Sequence, residues 1–324
     1  MSILVFGGLG HVGSWIIHDL VQRGEDVVCL DSNAGAFDRL GYDYLAGIRD
    51  RFTLEQVDIL DTHSLFEKMR AYDGQVESVI FCVAVIAGPD FAKRPFRNIE
   101  INTVGMLNVI EACRIFKVPK FINLSSGAVY GNSSGGQTES DTPYMATDLY
   151  CATKIANEVL ALQYGQTYGM DIRNARLMAI YGPGKLPSRM HALYQVLFGP
   201  LEGLMGQQVN AGGDQAMDWT HVRDSARGVV ALMDAPIAAG ESFNVSVGKT
   251  FSHRDILRLV EEIVGQPTQM SMGAGKFLDR GSPLDTTKAQ RVLNFKPVFS
   301  DIREGLIDYY GWLKRVRPTL NSER

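Results

Sequence analysis

The sequence predicts an α/β fold in which a doubly wound, parallel β-sheet carries helices on both of its faces. Three observations support this prediction. In the first half of the chain, short β-rich runs alternate with helical periods, which implies parallel crossover connections. Several of these runs, such as residues 78–85, are apolar at almost every position, as is typical of strands buried on both faces. A glycine-rich turn joins the first strand to the first helix.

The elements of the first half follow in a regular order. Gly24 ends the first helix and Thr62 is a possible cap of the second. Strands are predicted at 3–8, 26–31, 52–60 (running into a loop), 78–85, 120–126 and 171–182. Helices are predicted at 12–24, 62–72 and 98–118, and another opens at the segment YCATK, 150–154.

The alternation stops after Tyr181, where a Pro/Gly-rich loop begins. A further strand is predicted at 242–247, and helices are predicted at 255–265 and 301–316. We therefore expect a first domain at 1–180, completed by parts of 218–250, and a smaller α/β domain at 181–324.

Composition excludes several classes of partner. The 324 residues are 45% hydrophobic and 21% charged, with a net charge of −4, so there is no strong positive field for nucleic acid or an anionic membrane. The longest apolar run, 79–88, is too short to span a bilayer, and we see no secretory signal. Four widely spaced cysteines match no zinc or CxxC pattern, which favours free thiols in the cytoplasm. The histidines and carboxylates show no metal-site spacing.

The turn FGGLGHVGSW places glycines at three-residue intervals between a strand and a helix. Glycines let the backbone approach a pyrophosphate, and the helix N-terminus offers free N–H donors. Asp31 ends the next strand, where a carboxylate accepts hydrogen bonds from ribose hydroxyls and repels a 2′-phosphate. These features predict a Rossmann-type site for NAD rather than NADP. The residues expected at this end of the site are Gly7, Gly10, His11, Val12, Gly13, Asp31, Asp58 and Ile59. For Asp58, an ordinary loop carboxylate is an equal alternative.

Several motifs in order resemble the extended short-chain dehydrogenase/reductase family, in its NAD-dependent epimerase/dehydratase group (similar to UDP-galactose epimerases). The resemblance extends over residues 2–315. The motifs that carry it, beyond the glycine loop and Asp31, are INTVGMLNVIEAC (101–113), FINLSSGAVYG (121–131), YCATK (150–154) and RLMAIYGPG (176–184).

The resemblance implies that Tyr150, Lys154 and Ser126 are catalytic. Tyr150 and Lys154 are four residues apart, so they share one face of a helix. A nearby ammonium lowers the pKa of a phenol, which lets Tyr150 take a hydroxyl proton while hydride leaves for NAD. Ser126 would orient the substrate oxygen. Lys154 would also hold the nicotinamide ribose.

The resemblance implies further contacts with both ligands. Expected near NAD are Ala84, Asn102 and Met178, and Asn102 has the alternative of a helix cap or buried polar group. Expected near a small-molecule substrate are Gly127, Ala179, Arg189 and Arg223. It also implies a homodimer through the helices at 98–118 and 150–165.

Two departures from the family pattern bear on the substrate. Ala179 stands where sugar-nucleotide enzymes carry Asn, and Met217 stands where they carry Arg. A diphosphate needs positive charge and directed donors, so both changes weaken a UDP-sugar assignment. Arg223 could substitute, or could pair with Asp224 or Asp218. Arg189 and His191 could bind a carboxylate or phosphate, and the alternative for each is a solvated helix face.

Three functions remain open from the sequence. The first is an NAD-dependent dehydrogenase that acts on a hydroxyl of a sugar, sugar acid or similar polyol. The second is an epimerase that returns the hydride after a ketone intermediate moves. The third is a non-catalytic protein that senses NAD. Gly127 and Ala128 replace the Asp-Glu pair of dehydratases, so dehydratase chemistry is disfavoured, and the missing diphosphate residues favour the dehydrogenase.

Overall fold

The computed structural model describes residues 1–39, 42–86, 93–132, 136–141, 145–237, 239–276 and 283–321. Its strands, in chain order, are β1 (Ser2–Phe6), β2 (Asp26–Asp31), β3 (Thr53–Gln56), β4 (Val76–Phe81), β5 (Lys120–Ser126), β6 (Asp171–Leu177), β7 (Ile180–Tyr181), β8 (Gln208–Val209), β9 (Ala216–Met217), β10 (Thr220–His221), β11 (Ser242–Val245), β12 (Phe251–Ser252) and β13 (Ser271–Met272). Its α-helices are α1 (His11–Gln22), α2 (Asp43–Ala46), α3 (Thr62–Ala71), α4 (Pro95–Ile99), α5 (Gly105–Ile115), α6 (Leu149–Tyr168), α7 (Ala192–Glu202), α8 (Val222–Asp234), α9 (His253–Val264), α10 (Thr287–Leu293) and α11 (Ile302–Asn321).

Seven strands form one parallel sheet in the order β11-β6-β5-β4-β1-β2-β3. The order reverses between β1 and β4, and at such a switch point the carboxyl ends of the strands open a crevice for a ligand. The prediction of a doubly wound α/β fold is confirmed. The last strand of the sheet, β11, comes from the second half of the chain.

Alternate residues of β1 supply two separate cores. Ile3 and Val5 pack with α1 and α8 on one face of the sheet, and Leu4 and Phe6 pack with α3 and α5 on the other. This follows from the two-residue period of a strand, which points successive side chains to opposite faces. Every residue of β1 is buried, which explains why its sequence is continuously apolar from Ile3 to Phe6.

A third core lies in the second half of the chain. It joins α7, α9 and α11 around large aromatic side chains, among them Phe198, Trp219 and Tyr309. Helix α11 also reaches back to the first half, because Trp312 Nε1 donates to Asp43 Oδ1 at 2.8 Å. Within the described parts of the chain, no helix has both the length and the apolar character that crossing a membrane requires.

Some predicted elements have different limits in the structure. The strand predicted at 171–182 is broken after Leu177, because Ala179 adopts a left-handed backbone conformation with φ of 35°. The helix predicted at 98–118 is divided by a π-helical turn, Glu100–Val104. The strand predicted at 78–85 ends at Phe81, and the cap of α3 is Asp61 rather than Thr62, since Asp61 Oδ1 accepts from the N–H of Ser64 at 3.1 Å.

Candidate active site

A cavity of about 330 Å³ lies at the carboxyl ends of β1, β2 and β4. The residues predicted for the cofactor that line it are Gly7, Gly10, Asp31, Asp58, Ile59 and Ala84. Further lining residues that the sequence did not single out are Leu9, Leu30, Ser32, Asn33, Val57, Cys82, Val83, Val85, Arg97 and Ile101. Most of these directly follow a strand, and that position in an α/β sheet is the signal that would have found them.

The glycine loop has the geometry that a pyrophosphate site needs. Gly7 has a φ of 72°, a conformation that side chains with a Cβ rarely adopt. A Cβ on Gly13 would lie 2.5 Å from the carbonyl oxygen of Gly7, so only glycine permits this close turn. Helix α1 begins at His11 without a side-chain cap, which leaves N–H groups of its first turn available to an anion. Val12 and Gly13 lie in this same turn.

Asp31 holds the two sides of the cavity together. Its carboxylate accepts from the N–H of Leu9 at 3.0 Å and from the N–H of Asn33 at 2.8 Å. Burial raises the pKa of Asp31, and these two hydrogen bonds act in the opposite direction. The carboxylate therefore stands at the end of β2, inside the cavity, where the adenosine ribose of a dinucleotide would meet it.

Replacing Asp31 with Ala is expected to raise the Kd for NAD by about 10- to 100-fold, because hydrogen bonds to a charged acceptor contribute about 1.5–3 kcal/mol. It should also reduce the preference for NAD over NADP, because the repulsion of a 2′-phosphate is removed. Fluorescence titration with NADH and NADPH measures both effects. The control is Asp61→Ala, because the exposed carboxylate of Asp61 also accepts a backbone N–H, that of Ser64, and does not line the cavity. Unchanged dinucleotide affinities in the Asp31 variant would contradict the assignment.

Asp58 and Arg97 stand together at the rim of the cavity. Arg97 Nη2 lies 3.9 Å from Asp58 Oδ2, and each side chain is about half exposed. The structure thus places Asp58 where it could meet an adenine ring, but also gives it a partner within the protein. Both roles considered for Asp58 remain compatible with this position.

His11 connects the glycine loop to the segment that follows β7. Its Nε2 lies 3.1 Å from the carbonyl oxygens of both Gly182 and Pro183. Carbonyls only accept, so Nε2 carries a hydrogen and donates it. Burial first, and then the Lys185 ammonium, lower the pKa of His11 to about 3. The side chain therefore joins the start of α1 to the segment that follows β7.

Replacing His11 with Gln should make the protein less sensitive to acid. A histidine whose pKa is lower in the folded state contributes stability at pH above 6.5, and that stability is lost as the pH falls from 6.5 towards 3. Gln keeps an amide donor and does not titrate. Between pH 7 and pH 4.5, we expect the wild type to lose about 2–3 kcal/mol more unfolding free energy than the variant.

Urea denaturation at both pH values measures this difference. The control is His63→Gln, because the side chain of His63 is 85% exposed. Equal losses of unfolding free energy in the wild type and the His11 variant would contradict the interpretation.

The start of α6 is fastened to the carboxyl end of β5. Asp148 Oδ1 accepts from the N–H of Cys151 at 2.7 Å and so caps the helix. Cys151 Sγ donates to the carbonyl oxygen of Ala128 at 2.8 Å, and Lys154 Nζ donates to the carbonyl oxygen of Leu124 at 2.8 Å. These bonds place the first turn of α6, which contains the half-buried Tyr150, beside the turn that follows Ser126.

Lys154 is almost completely buried, and its ammonium lies 5.9 Å from the centre of the Tyr150 ring. Burial lowers the pKa of Lys154 to about 8, so at neutral pH most molecules keep the charged form. An ammonium so close to the phenol stabilises the phenolate and favours loss of its proton.

Ser126 ends β5 and is partly exposed. Its Oγ accepts from the N–H of Ala128 at 3.1 Å. Among the described residues, this is the one hydrogen bond of its hydroxyl, and it leaves the proton available for a substrate oxygen. The preceding residue, Ser125, is buried and donates to Glu158 Oε1 at 2.5 Å.

Asn102 lies between the loop after β4 and α6. Its Oδ1 accepts from the N–H of Val85 at 2.7 Å, and its Nδ2 donates to the carbonyl of Val85 and to Thr153 Oγ1. The side chain therefore fixes the loop after β4 against α6. Asn102 is therefore a buried polar group, which is one of the alternatives considered for it, and a contact with the cofactor stays a prediction.

The residues predicted for the substrate do not all come together. Met178 Sδ lies against Gly127, beside the end of β5, and Ala179 follows at the break between β6 and β7. Arg189 is exposed. Arg223 pairs with Asp308 at 3.3 Å, rather than with Asp224 or Asp218, and lies 4.5 Å from the centre of the Trp15 ring. The guanidinium lies between α1 and α11, and a substrate contact through Arg223 stays a prediction.

A buried ionic network lies directly behind the catalytic group. Arg176 and Glu158 form two hydrogen bonds of 2.7 and 3.0 Å, and the side chain of each is 3% exposed. Arg176 Nη1 also donates to Tyr130 Oη at 2.8 Å, and Tyr130 donates to Asn244 Oδ1 on β11 at 2.6 Å. Glu158 is not among the residues predicted from the sequence. Its position four residues after Lys154, on the same helix face, is the feature that could have identified it.

Within the described ranges, no three His, Cys, Asp or Glu side chains form a group that could hold a metal ion. The site combines a cavity lined by the glycine turn and Asp31 with a Tyr-Lys pair and a serine at one end of the sheet.

The family model described as "NAD dependent epimerase/dehydratase family" matches residues 3–246. The UDP-glucose 4-epimerase of Lacticaseibacillus casei is 28% identical over 334 residues, covering 96% of each chain. The dTDP-glucose 4,6-dehydratase of Streptomyces griseus is 28% identical, covering 97% of this chain and 94% of its own. The UDP-glucuronic acid 4-epimerase of Bacillus cereus, solved with UDP-glucuronic acid and NAD, is 25% identical with a TM-score of 0.83, covering 98% of this chain and all of its own.

These similarities confirm the predicted resemblance, the prediction of an enzyme and the prediction of NAD as its cofactor. The residues of the cavity fit NAD, since the glycine turn supplies a pyrophosphate site and Asp31 supplies an acceptor for the ribose hydroxyls. The chain belongs to the NAD-dependent epimerase/dehydratase family, in the extended short-chain dehydrogenase/reductase group.

Proposed function

We propose that the protein oxidises a hydroxyl of a sugar, a sugar acid or a similar polyol, with Tyr150 as the base. The observation that carries this proposal is the position of the Tyr150–Lys154 pair on a helix fastened to β5, next to the dinucleotide cavity. When bound, NAD supplies the hydride acceptor. Tyr150 takes the hydroxyl proton, Lys154 stabilises the phenolate, and Ser126 donates to the reacting oxygen.

Three features support net oxidation over epimerisation of a nucleotide sugar. Ala179 has no side-chain amide, Met217 has no charge, and Arg223 is paired with Asp308. The site therefore lacks the amide and the arginine that could bind a diphosphate, and the cation that could replace them is already paired. Gly127 and Ala128 lack the acid/base pair of a dehydratase.

Epimerase chemistry is the second candidate, because the chain is similar to UDP-glucose 4-epimerases such as the Lacticaseibacillus casei enzyme over almost their whole length. Tyr150, assisted by Lys154, would then remove a proton and later return it, after the ketone intermediate has changed its orientation in the site. The two functions differ in whether reduced cofactor accumulates.

The deciding experiment mixes the purified protein with excess NAD and, in turn, D-glucose, D-glucuronate, UDP-glucose and UDP-glucuronate. We expect absorbance at 340 nm to rise through several turnovers with at least one of the four compounds. Epimerised product without net NADH would support the second candidate instead. If none of the four compounds gave NADH or an epimer, the proposed function would be wrong for this class of substrate.

We also propose that residues 1–180, with parts of 218–250, bind NAD, that 181–324 bind the substrate, and that the protein is a cytoplasmic homodimer. Apolar side chains are exposed along the helices at 95–115 and 149–168, which supports an interface there. They are Phe96, Val104, Ile115, Leu149, Val159 and Leu162. The described cysteines are all free, which suits a reducing compartment. Light scattering of the eluted protein tests the oligomeric state.

A further inference from the structure

Leu9 lies at the centre of the glycine turn, and hydrogen bonds hold its backbone from two directions. Its N–H donates to Asp31 Oδ2 at 3.0 Å, and its carbonyl oxygen accepts from Tyr42 Oη at 2.9 Å. Leu9 lines the cofactor cavity and is 4% exposed, whereas Tyr42 is not one of the residues that line it. Tyr42 is therefore connected to the cavity through the backbone of Leu9.

This second hydrogen bond matters because the turn has little stiffness of its own. Gly8 and Gly10 flank Leu9, and glycine has more backbone freedom than any other residue. The N–H of Gly10 donates to the carbonyl oxygen of Gly7 at 3.0 Å. Both polar groups of the Leu9–Gly10 peptide are thus hydrogen-bonded, and Tyr42 supplies one of the two partners. The N–H groups at the start of α1, which would face a pyrophosphate, follow this peptide directly.

The ring of Tyr42 is itself held in place. It stacks on the ring of Tyr44 with the centres 5.5 Å apart, and Tyr44 stacks on Trp15 of α1 at 4.0 Å. Between the two tyrosines, Asp43 Oδ1 accepts from Trp312 Nε1 of α11 at 2.8 Å. Burial raises the pKa of Tyr42 to about 12, so its hydroxyl keeps the proton at neutral pH and stays a donor.

We propose that Tyr42 is a positioning residue for the cofactor. Its hydroxyl keeps the Leu9 backbone in the orientation in which the start of α1 meets the pyrophosphate and the Leu9 N–H holds Asp31 towards the ribose. The selectivity for NAD over NADP then depends in part on a hydroxyl that contacts neither dinucleotide. This role rests on the proposed binding of NAD by residues 1–180, and it does not depend on the identity of the substrate.

The first test is Tyr42→Phe, which removes the hydroxyl and leaves the ring. We expect the Kd for NADH to rise by about 3- to 10-fold, as for the loss of one neutral hydrogen bond. The Kd for NADPH should rise less, because a less firmly held Asp31 repels the 2′-phosphate less. The ratio of the Kd for NADPH to the Kd for NADH should therefore fall by about twofold or more. Fluorescence titration measures both constants, and its stoichiometry reports the folded fraction.

A double-variant cycle with Asp31 separates positioning from a general loosening of the fold. In the Asp31→Ala background, Tyr42→Phe should leave the NADPH-to-NADH ratio unchanged, because the carboxylate that the hydroxyl positions is absent. A merely structural role would act alike in both backgrounds. The same change of the ratio with and without Asp31 would therefore overturn the proposal.

The matched control is Tyr72→Phe. Tyr72 is half-buried in the same half of the chain, and its hydroxyl donates to Glu55 Oε1 at 2.7 Å, outside the cavity lining. This variant should change neither Kd. An unchanged Kd for NADH in the Tyr42 variant, or an equal rise in the Tyr72 variant, would overturn the positioning role while leaving the NAD site intact. A wild-type protein that binds neither dinucleotide would overturn the NAD site itself, and this role with it.

Discussion

Replacing Tyr150 with Phe is expected to lower kcat by about 10²- to 10⁴-fold, the usual contribution of a positioned base. Only the hydroxyl is lost, so the ring keeps its place next to the Lys154 ammonium. The Kd for NAD should stay within about threefold, because the glycine turn and Asp31 are untouched. Stopped-flow measurement of NADH formation and a separate titration with NADH give the two values.

A matched control is available on the same helix. Tyr164→Phe removes a hydroxyl fourteen residues further along α6, away from the end of β5, and should leave kcat unchanged. A Tyr150 variant with wild-type turnover would exclude Tyr150 as the base. Loss of turnover with intact NADH binding would exclude the hypothesis that the protein is a non-catalytic NAD sensor.

Breaking the buried pair behind the site should have the largest effect on stability. Replacing Glu158 with Gln leaves the Arg176 guanidinium, 3% exposed, without a counter-charge. An uncompensated buried charge costs about 3–5 kcal/mol, so the unfolding free energy in urea should fall by that amount. The hydrogen bond from Ser125 can persist, since Gln keeps an acceptor oxygen.

The double variant Glu158→Gln/Arg176→Met provides the control. It removes both charges, and we expect it to recover at least half of the lost unfolding free energy, because no unpaired ion remains. A loss below about 1 kcal/mol in the single variant would contradict the pairing. A double variant that is less stable than the single one would show that packing around Arg176, rather than its charge, dominates.

The sequence predicted the parts of the site whose residues lie close together along the chain. The glycine turn, Asp31 at a strand end, and the Tyr150–Lys154 spacing each depend on a few neighbouring residues, and the structure brings these residues to one end of the sheet. The doubly wound parallel sheet followed from the alternation of apolar runs and helical periods.

The sequence did not predict contacts between distant segments. Arg223 pairs with Asp308, which lies 85 residues further along the chain. The sequence suggested only carboxylates close to Arg223 in the chain as its partners. Asn102 lies in a π-helical turn and bonds to Val85, and no periodicity in the sequence signals such a turn.

The late arrival of β11 and α8 has a consequence for biosynthesis. Strand β11 pairs with β6, and α8 packs on α1, yet both elements leave the ribosome after residue 221. Until then, the nascent chain exposes an unpaired strand edge and an apolar helix stripe, which are the features that chaperones bind and that promote aggregation. A truncated gene product that ends near residue 180 should therefore accumulate in inclusion bodies, and co-expression of the missing piece should rescue it.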